Sequence, residues 1–236
     1  MNRLWSLLVL LAGLAGMSLV AKNAEARTPM NWNTHVVQTP EGGHRVGNPD
    51  SKVQLIAFVS YTCPACGRFE QEADGPMRIA YVAPGQLSIE VRHFIRDPID
   101  LTAALAAQCG PKDRFFLNHA ALFSKQAQWL KVAQEAGAST RLRWRTGSER
   151  ERMMAIAHDM GFHQIMASRG IDRMTLNACL GDTAKARKIA ADSAASVEKY
   201  GINGTPSFVM DGEYLPGVHN WATLAPLLAE RLKPTP

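Results

Sequence analysis

Residues 53–67 read VQLIAFVSYTCPACG, a largely apolar run that leads into two cysteines with two residues between them. Residues 53–60 are apolar at nearly every position, which suits a central β-strand covered on both faces. Cys63 and Cys66 follow at once, with Pro64 and Ala65 between them, and they open a helix for which Thr62 is the available cap. Residues 87–94, LSIEVRHF, alternate and are β-branched, as a second strand should be. The cysteine pair therefore sits at the strand-to-helix turn of a β-α-β unit.

Upstream of this unit the sequence predicts a strand over 35–39 and a turn-rich stretch over 40–49. Downstream, 99–182 reads as helical throughout. Leu101, Leu105 and Cys109 recur at a spacing of four, and Phe116, His119, Ala120 and Phe123 form another apolar face. Ser148 and Glu151 make a capping box ahead of Met153, Ile156, Ala157 and Met160, and Gly161 ends that helix. Residues 183–200 form a further amphipathic helix with Ile189, Ser193, Val197 and Tyr200 on one side. A short strand over 204–210, a hairpin turn at Asp211 and Gly212, and a return over 213–216 follow. Asn220 caps a last helix lined by Trp221, Leu224, Leu227 and Leu228. The order is β-α-β, then helices, then β-β-α, with no internal repeat.

The compartment decides what the cysteines can do. The start of the chain carries Arg3, a long apolar run to Ala21, and an A-x-A pattern at Ala24-Glu25-Ala26. That is the layout of a secretory signal peptide over 1–26. An uncleaved membrane anchor is the alternative, and the run is at the short limit for spanning a bilayer. Export permits stable disulfides. Four cysteines in 236 residues are too few to staple a miniature fold, but 46% hydrophobic residues suffice for an ordinary core. The net charge of +5 is a mild excess and implies no nucleic-acid partner. The densest basic stretch, Arg141 to Arg145 around Trp144, reads as a solvated loop.

Taken alone, C-x-x-C also occurs in zinc sites, but those need a second pair or histidines at ligand spacing. Here Cys109 and Cys179 are single, and His158 and His163 are five apart, out of phase for one helix face. No metal site is expected. A purely structural Cys63–Cys66 bridge would close too small a ring to constrain the unfolded chain much. The redox reading has a mechanism instead. A thiol at the first turn of a helix meets unpaired N–H groups and the positive end of the dipole, which favour thiolate. Cys63 takes that place as nucleophile, Cys66 is the inner, resolving thiol, and Pro64 suits the first helical turn.

At this point the sequence resembles the DsbA-like thiol:disulfide oxidoreductases of the thioredoxin superfamily. The resemblance rests on the strand followed by CPAC, on FFLNHAALF (115–123) and NACLGD (177–182), and on GINGTPSFVM (201–210). It implies an α/β thioredoxin fold with an inserted helical domain. The thioredoxin parts would be 27–98, which includes the N-terminal arm, and 183–236, with the helical insertion over 99–182. It further implies a cis peptide at Thr205–Pro206 beside the cysteines; a trans proline at strand entry is the alternative. Relatives with cysteines at matching places suggest a structural disulfide between Cys109 and Cys179, which otherwise would be two inert buried thiols. Two departures stand out. Ala65 occupies the place of a thiolate-stabilising histidine, so a less acidic Cys63 and a milder oxidant are expected. Ala57 stands where relatives tend to carry a buried acid.

The resemblance implies an exported, periplasmic oxidoreductase that needs no bound cofactor, because the cysteine pair carries the two electrons. Its partners would be folding secreted proteins and a membrane redox partner of the DsbB type. An isomerase or reductase kept as the dithiol is the first alternative, and a non-catalytic peptide-binding chaperone the second. His119, between Phe116 and Phe123, reads as a hydrogen-bonded core histidine, and the methionines from Met153 to Met174 as ordinary packing.

Overall fold

A computed structural model describes residues 30–233. The expected leader over 1–26 lies outside the described residues. Six strands form one mixed sheet in the order β1-β2-β4-β3-β5-β6: β1 (Val36–Gln38), β2 (His44–Gly47), β3 (Val53–Val59), β4 (Leu87–His93), β5 (Ser207–Met210) and β6 (Glu213–Tyr214). β3 and β4 run parallel, and every other neighbouring pair is antiparallel. β3 is central. Its Leu55, Ala57 and Val59 enter the main core, and Phe58 enters a second cluster with Ile202 and Val209 on the other face. The two-residue period of a strand sends successive side chains to opposite faces, and both faces here are covered.

The helix α1 (Pro64–Met77) links β3 to β4, and α10 (Trp221–Leu232) closes the chain with Leu224, Leu228 and Leu232 buried. Leu227 points outward. Between β4 and β5 lie α2 (Pro98–Ala107), α3 (Phe115–Ser124), α4 (Gln126–Glu135), α5 (Ala138–Arg143), α6 (Glu149–Asp159), α7 (Phe162–Ala167), α8 (Arg173–Leu180) and α9 (Thr183–Tyr200). The Ser148–Glu151 capping box is present at α6, and Asn220 caps α10 through the Thr223 amide. Asp211 and Gly212 both have positive φ, 51° and 88°, as a tight hairpin turn requires.

Four local expectations are corrected. The stretch 40–49 is not all turn, because His44–Gly47 is a strand that joins β1 to β4. Gly47 has φ 114°, and a Cβ there would come 2.6 Å from the Leu87 carbonyl, so only glycine allows this approach. β4 does not alternate in burial: all seven residues are covered, because Glu90 binds Arg92 at 2.6 Å and Thr39 at 2.7 Å. The basic stretch at 141–145 is no loop. It continues α5 into a turn where Trp144 is buried and donates to Asp159 at 2.8 Å. Cys109 lies just past the end of α2 rather than on its face. Among the methionines, Met153, Met160 and Met166 are buried, whereas Met174 is exposed.

Candidate active site

β3 delivers the chain to a four-residue approach, Ser60 to Cys63, that two other elements hold in place. From the start of α2, Asp97 accepts the Thr62 hydroxyl at 2.7 Å. Asp100 accepts the Ser60 hydroxyl at 2.6 Å and the Tyr61 amide at 2.8 Å. From α4, the Gln126 side-chain amide donates to the carbonyls of Tyr61 at 2.7 Å and Cys63 at 2.9 Å. A Cβ at Gly67 would come 2.0 Å from the Gln126 side-chain oxygen, so glycine there admits the clamp. Behind the approach, the Tyr61 hydroxyl meets His119 Nδ1 at 2.7 Å, and His119 Nε2 lies 3.2 Å from Glu70.

Thr62 is therefore not the cap. Pro64 is the first helical residue, so Cys63 takes the cap position itself, with φ −98° and ψ 112° and no side-chain capping bond. That leaves the α1 N-terminus open toward the Cys63 sulfur. The Thr205–Pro206 peptide is cis and faces the pair, and Cys63 Sγ lies 3.2 Å from the Thr205 carbonyl oxygen. Pro64 is exposed, Ala65 half-buried, and Cys66 fully buried, with its sulfur accepting from the Ser60 amide at 3.5 Å. Both cysteines are thiols.

The two thiols are driven apart in acidity. Hydrogen bonding from Cys66 draws Cys63 down to about 5, against burial and with help from Thr205 and the amides of Cys66 and Ala65. Burial pushes Cys66 up, and the neighbouring Cys63 adds to the rise. A site with one low and one high thiol supports nucleophilic exchange at the outer sulfur and resolution by the inner one.

The remaining candidates lie elsewhere. Cys109 and Cys179 are joined as a disulfide with Cα atoms 5.7 Å apart, at the end of α2 opposite Asp100. His163 bonds Asn177 at 2.9 Å. Among the described residues no cluster of three His, Cys, Asp or Glu side chains could hold a metal ion. Sequence reasoning missed Ser60, Asp97, Asp100 and Gln126. The Asp97-Pro98 step is a helix-start signal that could have revealed the first of the two acids; nothing local marks Asp100 or Gln126.

A family model described as Thioredoxin matches residues 39–230, and the chain belongs to the thioredoxin family. Within it, a crystal structure of a protein-disulfide isomerase from Novosphingobium aromaticivorans is 46% identical, covering 82% of this chain and 98% of that one with a TM-score of 0.78. Wolbachia pipientis alpha-DsbA1 shares the fold, with a TM-score of 0.65 at 18% identity over 82% of this chain and 92% of that one. A Rickettsia bellii protein named as a protein-disulfide oxidoreductase is 29% identical over 85 residues, 36% of this chain and 33% of that protein. A Rickettsia typhi protein of the same description is 31% identical over 36% of this chain and 32% of its own length. The matched region spans about a third of these curated relatives. The fold is thus thioredoxin-like, and the relatives it matches are described as protein-disulfide isomerase or oxidoreductase.

Proposed function

We propose that the protein is an exported thiol:disulfide oxidoreductase that donates a Cys63–Cys66 disulfide to folding secreted proteins. The observation that carries this reading is the split between the two thiols: Cys63 at about 5 beside the Thr205 carbonyl, and Cys66 buried and raised. A substrate thiolate attacks Cys63 Sγ, the Cys63–Cys66 bond breaks, and its electron pair leaves on Cys66. A second substrate thiolate attacks the substrate sulfur of the mixed disulfide. Cys63 then departs as a thiolate, the form its low value favours. The Thr205 backbone offers edge hydrogen bonds to an extended substrate. A membrane redox partner of the DsbB type restores the disulfide, and no cofactor takes part because the sulfurs hold both electrons. In this reading 1–26 is a cleaved leader, 27–98 and 183–236 form the thioredoxin domain, 99–182 is the insertion, and the protein works in the periplasm.

A second reading, a reductase or isomerase kept as the dithiol, is favoured by Ala65 and by the description of the Novosphingobium relative. The Cys63–Cys66 reduction potential separates the two. A value of about −120 to −160 mV supports the donor, and one below about −230 mV sinks it. Cys63→Ser abolishes exchange in either case. A Cys63→Ser protein that binds unfolded peptide as well as the wild type, beside a wild type that exchanges nothing, would instead mark a chaperone.

A further inference from the structure

Asp100 has only 1% of its surface exposed, and among the described residues no cationic side chain is bonded to it. Its partners are the Ser60 hydroxyl at 2.6 Å, the Tyr61 amide at 2.8 Å and the Arg96 amide at 3.1 Å. Ser60 is itself fully buried and touches the other member of the pair: its amide donates to the Cys66 sulfur at 3.5 Å. One residue thus bonds both the inner thiol and a buried carboxyl. On β3, Ala57 offers only a buried methyl group and can hold no proton.

We infer that Asp100, acting through Ser60, is the buried acid that governs the protonation of Cys66 during disulfide exchange. The inference rests on the exchange reading above. When a substrate thiolate attacks Cys63, the Cys63–Cys66 bond breaks, the Cys63–substrate bond forms, and the electron pair departs on Cys66. A thiolate left there is a buried anion without a cation. Asp100 gives up a proton as Cys66 takes one up, the two being coupled through Ser60, whose amide donates to the Cys66 sulfur and whose hydroxyl bonds the carboxyl; the products are a Cys66 thiol and an Asp100 carboxylate. The reverse reaction returns the proton before Cys66 attacks. Asp100 touches no reacting sulfur and is a positioning residue.

The environment suits this role. Burial pushes Asp100 up to about 7, and the Asp97 charge adds to the rise against the pull of the Ser60, Tyr61 and Arg96 hydrogen bonds. Near neutral pH the group can therefore both give and take a proton. The charges around it come from several directions. Asp97 caps its own helix, Cys63 caps α1 and Cys66 lies in its first turn, and Arg152 of α6 and Arg187 of α9 line the cleft that includes Arg96 and Asp97. Arg187 is engaged by Glu149 at 3.2 Å, and Arg152 donates to the Gly147 carbonyl. Behind Tyr61 stand His119 of α3 and Glu70 of α1. The remaining tie to α3 and the bridge to α8 lie at the other end of α2, through Asn118 and Cys109–Cys179.

The test is the rate at which a dithiol peptide reduces the oxidised protein, followed from pH 5 to 9 in the wild type, Asp100→Asn and Ser60→Ala. The wild type should show an inflection near 7 beyond that of the peptide thiols. Asp100→Asn should lose it and slow by about tenfold at neutral pH, with the Cys63 titration at 240 nm unchanged. Ser60→Ala, which keeps the amide and removes the hydroxyl, should behave like Asp100→Asn. An inflection retained in both variants, or an equal slowing at every pH, overturns the assignment. Should the variants not fold, carbon-13 NMR of the wild type decides: the Asp100 carboxyl should titrate differently in the disulfide and dithiol forms, and an identical titration overturns the inference. A wild type that exchanges nothing would fail the function itself, whereas a working wild type matched by Asp100→Asn at every pH fails only the role of Asp100.

Discussion

The Cys63 sulfur lies 3.2 Å from the Thr205 carbonyl oxygen, across 142 residues of chain. β5 brings Thr205 there because it pairs antiparallel with β3, the strand that delivers Cys63. The Thr205 side chain also helps hold Cys63 low. Thr205→Val keeps the backbone and volume and removes the hydroxyl. The Cys63 thiol should rise from about 5 by up to about one unit, the worth of one hydrogen bond. Thiolate absorbance against pH measures it, and an unchanged titration would deny the side chain its part.

Gln126 satisfies two carbonyls, of Tyr61 and Cys63, from a buried position on α4. Gln126→Ala leaves both without that donor, which should cost about 2 kcal/mol. Urea denaturation should show the loss at unchanged slope. A variant as stable as the wild type would mean that the clamp contributes nothing.

Two histidines should make the fold sensitive to acid. Burial holds both His44 and His93 down to about 3, with Lys185 and His119 adding to the first and His119 and His44 to the second. Against an unfolded value of 6.5, their contribution is complete above about pH 6.5 and is lost progressively as the pH falls towards 3. Asp100 acts with the opposite sign. Raised from 3.8 to about 7, it contributes fully below 3.8 and loses that contribution as the pH rises through 7. Neither ring nitrogen of His93 has a partner among the described residues. His93→Phe should therefore match or exceed wild-type stability at pH 7 and flatten the decline between pH 6 and 4. A decline as steep as in the wild type would remove His93 from this account.

The bridge between Cys109 and Cys179 spans 70 residues. Closing a loop of that length removes unfolded-chain entropy equivalent to about 4 kcal/mol. The double change Cys109→Ala, Cys179→Ala should lower stability by up to that amount while leaving Cys63–Cys66 exchange intact. Loss of exchange in a variant that remains folded would mean that the bridge serves the site as well as the fold.

What could be read from residue order alone was whatever depends on neighbours in the chain. The apolar run before CPAC fixes β3, because a strand covered on both faces has few polar residues. The capping box at Ser148 and the Asp211-Gly212 turn emerged where their local bonds place them. That Thr205 and Pro206 share a site with Cys63 and Cys66 was implied by the resemblance to DsbA-like proteins, not by any local pattern. Periodicity failed at β4, where Glu90 and Arg92 are buried as a pair, and at 44–47, where a strand exists only because its neighbours accept it. It is silent on the surroundings of the thiols. Asp100 and Gln126 lie 34 and 60 residues beyond Cys66 in the chain, and nothing around them announces a partner. Packing of α2 and α4 against the loop after β3 makes one a buried acid and the other a clamp. Burial and contact are properties of the assembled chain, so the electrostatic character of this site was decided only in three dimensions.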